Sequence, residues 1–211
     1  AGEASREADP VTQIESRSSS FGDDAKLFGE CTMSTKYGRV YQEVMEFGSG
    51  HQVHIPCQHC GEYICPEREN FRGWQEADSI MEARENAAYY CQKCGSRWSE
   101  TDRRKSIRKP VLVAKTQTVD KDGKVHGPEP DTNTFGLRWT AMVTPLVSMA
   151  FIAEKEWRAE QSDNSKDKRE IHQFYWAEPY QDDNLDVDSI TKEIILDRMS
   201  KYEQGVIPEN C

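Results

Sequence analysis

The sequence predicts a mixed α/β chain, of the α+β kind, with a four-cysteine zinc ribbon set into it. Three observations carry that prediction. Cys57-Gln58-His59-Cys60-Gly61 and Cys91-Gln92-Lys93-Cys94-Gly95 are one short element written twice. Strand-like segments flank both copies, as where Val53 and Ile55 alternate with His54. Other stretches repeat apolar residues at the spacing of one helix face, as Val40, Val44 and Phe47 do.

Each element pairs two thiols across two residues and follows them with glycine. Thiolates that close can grip one metal ion from a tight turn, and the glycine supplies the positive φ such a turn needs. Two turns give four sulfurs in a tetrahedral cage, the geometry Zn²⁺ prefers. Cys57, Cys60, Cys91 and Cys94 are therefore the expected metal ligands. The competing reading is two disulfides or scattered core cysteines. A closed all-thiolate site leaves no position for water, so the metal is expected to be structural. Cys31, Cys65 and Cys211 lie outside the pairs; Cys65 could replace Cys60, which sits in the better turn.

In chain order, residues 1–24 read as polar loop, with a short helix at Val11 to Ser16. Lys26 to Thr32 reads as a buried strand, followed by a hydroxyl-rich loop. Arg39 to Phe47 reads as a helix stopped by Gly48-Ser49-Gly50. His51 to Pro56 is a strand entering the first turn, and Tyr63-Ile64 leaves it. Thirty residues separate Cys60 from Cys91, so 67–86 is expected to be an inserted loop with a helical stretch near Ser79 to Glu85. Ala87 to Tyr90 enters the second turn, and Arg97-Trp98-Ser99 leaves it.

Ser99 to Lys105 reads as a short helix, Val111 to Ala114 as a strand and Val119 to Asp131 as a loop or hairpin tip. Thr134 to Trp139 alternates as a strand. Thr144-Pro145 is read as the start of a helix running to Gln161, with Leu146, Ala150, Ala153 and Trp157 on its face. A helix over Lys168 to Ala177 presents Ile171, Phe174 and Tyr175, and 178–188 is an acidic linker. A last helix starts at Asp188 or Ser189 and stops before Gly205.

The net charge of −10 argues against a protein that coats nucleic acid over its whole face. It leaves room for one basic patch. Arg97, Arg103, Arg104, Lys105, Arg108, Lys109 and Lys115 cluster after the second turn. They are candidates for phosphate-backbone contact. The competing reading is a solvated charge run, which the acidic balance favours. No apolar run approaches the roughly 18 residues of a membrane span, and no secretory leader is visible. Thr32, Ser34 and Thr35 suit either a phosphate-sensing loop or ordinary turn formation. His51, His54 and His59 read as surface or hydrogen-bonded residues, and Trp74, Trp98, Trp139, Trp157 and Trp176 as packing residues.

The order of these pieces resembles the large subunit of lambda-type phage DNA-packaging terminases, the GpA family. The residues that carry the resemblance are His51 to Gly61, Tyr89-Tyr90-Cys91, Phe135 to Pro145, Lys168 to Phe174 and Tyr202-Glu203-Gln204-Gly205-Val206-Ile207-Pro208. Gly2 to Phe21 also resembles the family's segment after its Walker B region. The resemblance implies the C-terminal strands and helices of a P-loop-type ATPase domain with an inserted four-cysteine zinc ribbon. It implies four segments: 1–50 in the ATPase core, 51–109 as the ribbon, 110–180 returning to the ATPase or linker subdomain, and 181–211 leading toward a nuclease.

The parent in such a family is an ATP-driven motor and endonuclease that cuts viral DNA and feeds it into a capsid. ATP and Mg²⁺ would serve that parent, and Zn²⁺ the ribbon. Its partners would be double-stranded viral DNA, the terminase small subunit and the capsid portal, with no membrane, in an oligomeric motor of the host cytoplasm. The coupling motif would fall on Cys31, Thr32 and Ser34. The family's Ser-Thr-Pro reads Cys31-Thr32-Met33 here. No Gly-x-x-x-x-Gly-Lys-(Ser/Thr) phosphate loop occurs in these 211 residues, and the paired nuclease carboxylates are not seen either. The chain is thus expected to be an internal piece without catalysis of its own. A free-standing zinc-ribbon module that binds nucleic acid or protein is the runner-up. A metal enzyme built on the CxxC thiols is a third reading, but it has no evident catalytic carboxylate or open ligand position.

Overall fold

A computed structural model describes residues 10–180. Contacts divide the chain between Thr32 and Met33 into two units, each taken by itself. The expected last helix and the Tyr202 to Pro208 motif lie outside the described residues.

In the first unit, helix α1 spans Pro10–Ser18 and runs into a 3-10 turn, Ser19–Asp24. The expected strand over Lys26 to Thr32 is not formed. Leu27 and Phe28 are exposed. A strand exists by its ladder of hydrogen bonds, and no partner strand takes up this segment among the described residues.

The second unit opens with Met33 buried and Gly38 preceding α2, Arg39–Tyr41, which continues as a π turn over Gln42–Glu46. Gly136 is needed nearby, because a Cβ there would collide with the Val44 backbone. Strand β1, His51–Pro56, matches the expected bounds and is the hub of the main sheet. It pairs antiparallel with β2, Tyr63–Ile64, through Ile55 and Pro56.

A second sheet brackets the second cysteine turn. β3, Phe71–Arg72, pairs with β4, Ala88–Tyr90, which pairs with β5, Arg97–Trp98. Helix α3, Ile80–Asn86, connects β3 to β4 and starts where the Ser79 hydroxyl accepts the Glu82 N–H. Helix α4, Glu100–Ser106, follows β5 and opens with a capping box between Ser99 and Asp102. Strand β6, Val111–Val113, returns antiparallel to β1. A small hairpin follows, β7 (Thr118–Val119) with β8 (Val125–His126), its tip tied by the Asp120 carboxylate. β9 covers only Leu137–Arg138 and lies parallel to β1.

Helix α5 spans Met149–Glu160, five residues later than the Thr144 start that proline suggested. The Ser148 hydroxyl accepts the Phe151 N–H and caps it, while the Thr144 carbonyl is taken by the Arg103 guanidinium at 2.9 Å. Leu146 is accordingly 91% exposed rather than on the buried face. That face is Met149, Ile152, Ala153, Glu156 and Ala159. Helix α6, Ser165–Glu170, is capped by Asn164 and continues as a π turn over Ile171–Tyr175, with Phe174 exposed. Trp74, Trp98 and Trp176 are buried, whereas Trp139 is exposed.

One apolar cluster joins these parts: Ile55, Ile64, Phe71, Tyr89, Trp98, Met142, Ile152 and Trp176 all belong to it. Two ion-pair groups lie beside it. The buried Glu156 carboxylate accepts Arg68 Nε at 2.9 Å, Arg68 Nη2 at 2.8 Å and Trp176 Nε1 at 2.6 Å. Arg138 pairs with both Glu67 oxygens at 3.1 Å and donates to the Trp176 and Ala177 carbonyls at 2.9 Å. No helix among the described residues is long and apolar enough to cross a membrane.

Candidate metal centre

The two cysteine turns fold alike because their backbones make the same bonds. In the first, the Gly61 N–H reaches the Cys57 carbonyl at 2.9 Å; in the second, the Gly95 N–H reaches the Cys91 carbonyl at 2.9 Å. Gly61 and Gly95 have φ of 77° and 72°, the left-handed values that a side chain would resist. The Cys57 N–H then bonds Glu62, and the Cys91 N–H bonds Ser96. Backbone N–H groups point into each turn: His59 to Cys57 Sγ and Lys93 to Cys91 Sγ, each at 3.4 Å.

The four sulfurs meet. Cys57 and Cys94 are 3.9 Å apart, Cys60 and Cys91 are 3.9 Å apart, and all four lie within 4.8 Å of one another. Disulfides need about 2.05 Å between sulfurs, so these are free thiols. A tetrahedron with metal–sulfur bonds of about 2.3 Å has edges of about 3.8 Å. The thiols can therefore hold one metal ion with little adjustment.

Hydrogen bonds tune the cage from outside. Trp98 Nε1 donates to Cys57 Sγ at 3.3 Å, within fully buried surroundings. Trp98 is thus more than the packing residue its sequence suggests: a buried indole N–H needs an acceptor, and that is the signal in the sequence. Ser96 hydrogen bonds bring the exposed Cys94 thiol down to about 6, whereas burial pushes the Cys91 thiol up to about 12. A cation would remove that inequality, since every ligand must be ionised. Cys65 is no rival ligand. It lies outside the group of four sulfurs that come within 4.8 Å of one another.

The histidines divide. His59 Nε2 lies 3.9 Å from the Asp102 carboxylate, and His51 Nδ1 is 2.7 Å from the Ser49 hydroxyl. His54 departs from expectation: its Nδ1 is buried without a hydrogen-bond partner among the described residues, and burial lowers its pKa.

The basic cluster is corrected at Arg103. It has no exposed surface, so it cannot reach a phosphate backbone. Its five N–H donors meet Glu100 twice and the carbonyls of Met142, Thr144 and Val147. Arg104 pairs with Glu100 at 3.0 Å, and Arg97 donates to the Asn86 carbonyl at 3.4 Å. Lys115 is also engaged, on the carbonyls of Met45 and Glu46. Lys105, Arg108 and Lys109 are exposed. Lys109 also lines, with Lys121, an open cleft of about 440 Å³ beside the first turn.

Of the residues expected to form a coupling motif, Cys31 and Thr32 are exposed at the end of the first unit. Ser34 is exposed in the second, where its carbonyl accepts the Gln173 amide and the Tyr180 N–H at 3.1 Å.

A sequence model of one family, described as "Phage terminase large subunit gpA, ATPase domain", matches residues 1–111, a span that includes both cysteine turns. No curated protein and no solved structure matches.

Proposed function

The chain belongs to the family of phage terminase large subunit gpA ATPase domains, and from that premise we propose that it serves an ATP-driven DNA-packaging motor in which its four cysteines form a structural zinc ribbon. The observation that carries the ribbon is the meeting of four sulfurs within 4.8 Å. Zn²⁺ suits an all-thiolate tetrahedral site better than the oxygen-seeking Mg²⁺ or Ca²⁺. Cys57, Cys60, Cys91 and Cys94 would hold it. With all four positions filled by protein, its contribution is folding energy rather than Lewis-acid chemistry.

The family reading extends to ATP and Mg²⁺ in the intact motor, an endonuclease activity, the terminase small subunit, the portal, an oligomeric assembly and the host cytoplasm. Within it, 1–50 and 110–180 belong to the ATPase and linker parts, 51–109 to the ribbon and 181–211 to the nuclease side. Cys31, Thr32 and Ser34 fall where the family couples hydrolysis to movement. Double-stranded DNA would contact Lys105, Arg108 and Lys109, with Arg97 and Arg104 at the margin. The exposure of Lys105, Arg108 and Lys109 supports that assignment.

Elemental analysis of the native chain tests the ribbon. About one zinc per chain is expected, and chelation at neutral pH should unfold residues 51–98. A chain purified without bound zinc, or one that keeps all its tertiary signals after metal removal, refutes it.

A further inference from the structure

A run of polar contacts leads from the cysteine cage to the start of α5. The first cysteine turn is fastened to α4: Gln58 Nε2 donates to the Ser106 hydroxyl at 3.1 Å. Ser106 is buried, and its hydroxyl donates to the Asp102 carbonyl at 2.9 Å. Asp102 also stands 3.9 Å from His59 of the same turn. From the next residue, the Arg103 guanidinium reaches the Met142 and Thr144 carbonyls at 2.9 Å and the Val147 carbonyl at 2.7 Å. Its remaining donors pair with Glu100 at 3.0 and 2.7 Å. Glu100 in turn accepts the N–H of Met149, the first residue of α5, at 3.1 Å.

Two features make this more than packing. Helix α4 has seven residues, well short of the roughly 12–15 at which an isolated helix becomes even marginal, so its order is borrowed from its neighbours. All five guanidinium donors are matched, and three of the acceptors are carbonyls outside α5 that its own bonds do not use. An apolar side chain could fill that space but could not orient those carbonyls.

We infer that metal seating in the four-cysteine cage sets the conformation of residues 142–149 through α4, with Arg103 as the positioning residue that transmits it. With the cage closed, the first turn holds α4, and α4 holds the segment that presents the exposed Leu146 and starts α5. With the cage open, α4 loses its anchor and the guanidinium bonds open together. The inference rests on the reading of the four thiols as metal ligands.

Amide hydrogen exchange of the full chain, followed by NMR, tests it, with metal content measured on the same samples. Stripping the metal should speed exchange at Val143, Thr144, Leu146 and Met149 by about tenfold or more. In Arg103→Met with metal retained, the same amides should already exchange fast, and stripping should add nothing there. Acceleration confined to the two cysteine turns overturns the coupling, as does slow exchange in metal-loaded Arg103→Met. If Arg103→Met does not fold, Gln58→Ala combined with His59→Ala cuts both side-chain links between turn and α4 while leaving the Arg103 bonds. It should accelerate those four amides with metal still bound; no acceleration overturns the coupling. A chain that takes up no metal refutes the ligand reading and the coupling with it. A chain that takes up metal without the change refutes the coupling alone.

Discussion

Replacing Glu156 by glutamine should destabilise the chain by about 2–3 kcal/mol. Glu156 is 1% exposed on the apolar face of α5. Its Oε1 accepts from Arg68 Nε and Trp176 Nε1, and its Oε2 accepts from Arg68 Nη2. In Glu156→Gln the amide oxygen keeps the position with two donors. The amide nitrogen then faces Arg68 Nη2, donor against donor. One charge-assisted bond is lost, worth about 1.5–3 kcal/mol, and Arg68 loses its hydrogen-bonded counter-charge, with Glu178 and Glu160 still acting on it. Breaking a fully buried pair costs about 3–5 kcal/mol. The Arg68 side chain is 31% exposed and can turn toward water, which lowers the expectation below that range. Urea unfolding of the metal-loaded chain measures the change. Arg68→Gln in the Glu156→Gln background should cost much less than Arg68→Gln alone, with a coupling of about 1.5 kcal/mol or more. A cost for Glu156→Gln below about 0.5 kcal/mol, or additive single costs, refutes the reasoning.

Trp98→Phe keeps a ring against Tyr89 but removes the N–H bonded to Cys57 Sγ. Metal affinity should fall by about tenfold or more in competition with a chromophoric chelator, and unchanged affinity would show the contact to be incidental. Joint replacement of Lys105, Arg108 and Lys109 by alanine should flatten the salt dependence of DNA binding by about 0.9 in log–log slope per lost phosphate contact. An unchanged slope returns these residues to a solvated charge run. Glu100 supplies a pH test. Burial pushes its carboxyl up, but bonds from Arg103, the Met149 N–H and Arg104 outweigh this and hold its pKa below the ordinary 4.5. A depressed carboxyl stabilises the fold above the unfolded pKa, and that stability is lost as pH falls through the folded value. Wild type should therefore exceed Glu100→Gln in urea midpoint at pH 7, and the gap should close on acidification below about pH 4.5. A gap that is constant with pH rules out the ionic account.

What sequence reading captured was what neighbouring residues decide. β1 falls on His51–Pro56 as expected, and α4 starts at the Ser99 cap. The two cysteine turns were legible because ligand spacing and glycine are local requirements. The misses share one cause: distant partners override local signals. Thr144-Pro145 carries a sound helix-start signal, yet Arg103, far back in the chain, takes the Thr144 carbonyl. Arg103 itself looked like its neighbours in a run of cations. Its spacing to Ser106 and Ile107 puts it on the inward face of α4, a signal that composition hides and periodicity could have shown. Glu156 is a similar case, since a carboxylate between Ile152, Ala153 and Ala159 announces a buried partner without naming it. That the partner is Arg68 follows only from the packing of α5 beside the segment between the cysteine turns. The two charge groups at Arg68 and Arg138 tie that segment to residues 156–178, so the stretch between the turns is bonded on both sides. Thermal or urea unfolding of the metal-loaded chain should then show one transition for residues 33–180 rather than a ribbon that melts alone, and two separated transitions would mean that these ion pairs leave the ribbon independent.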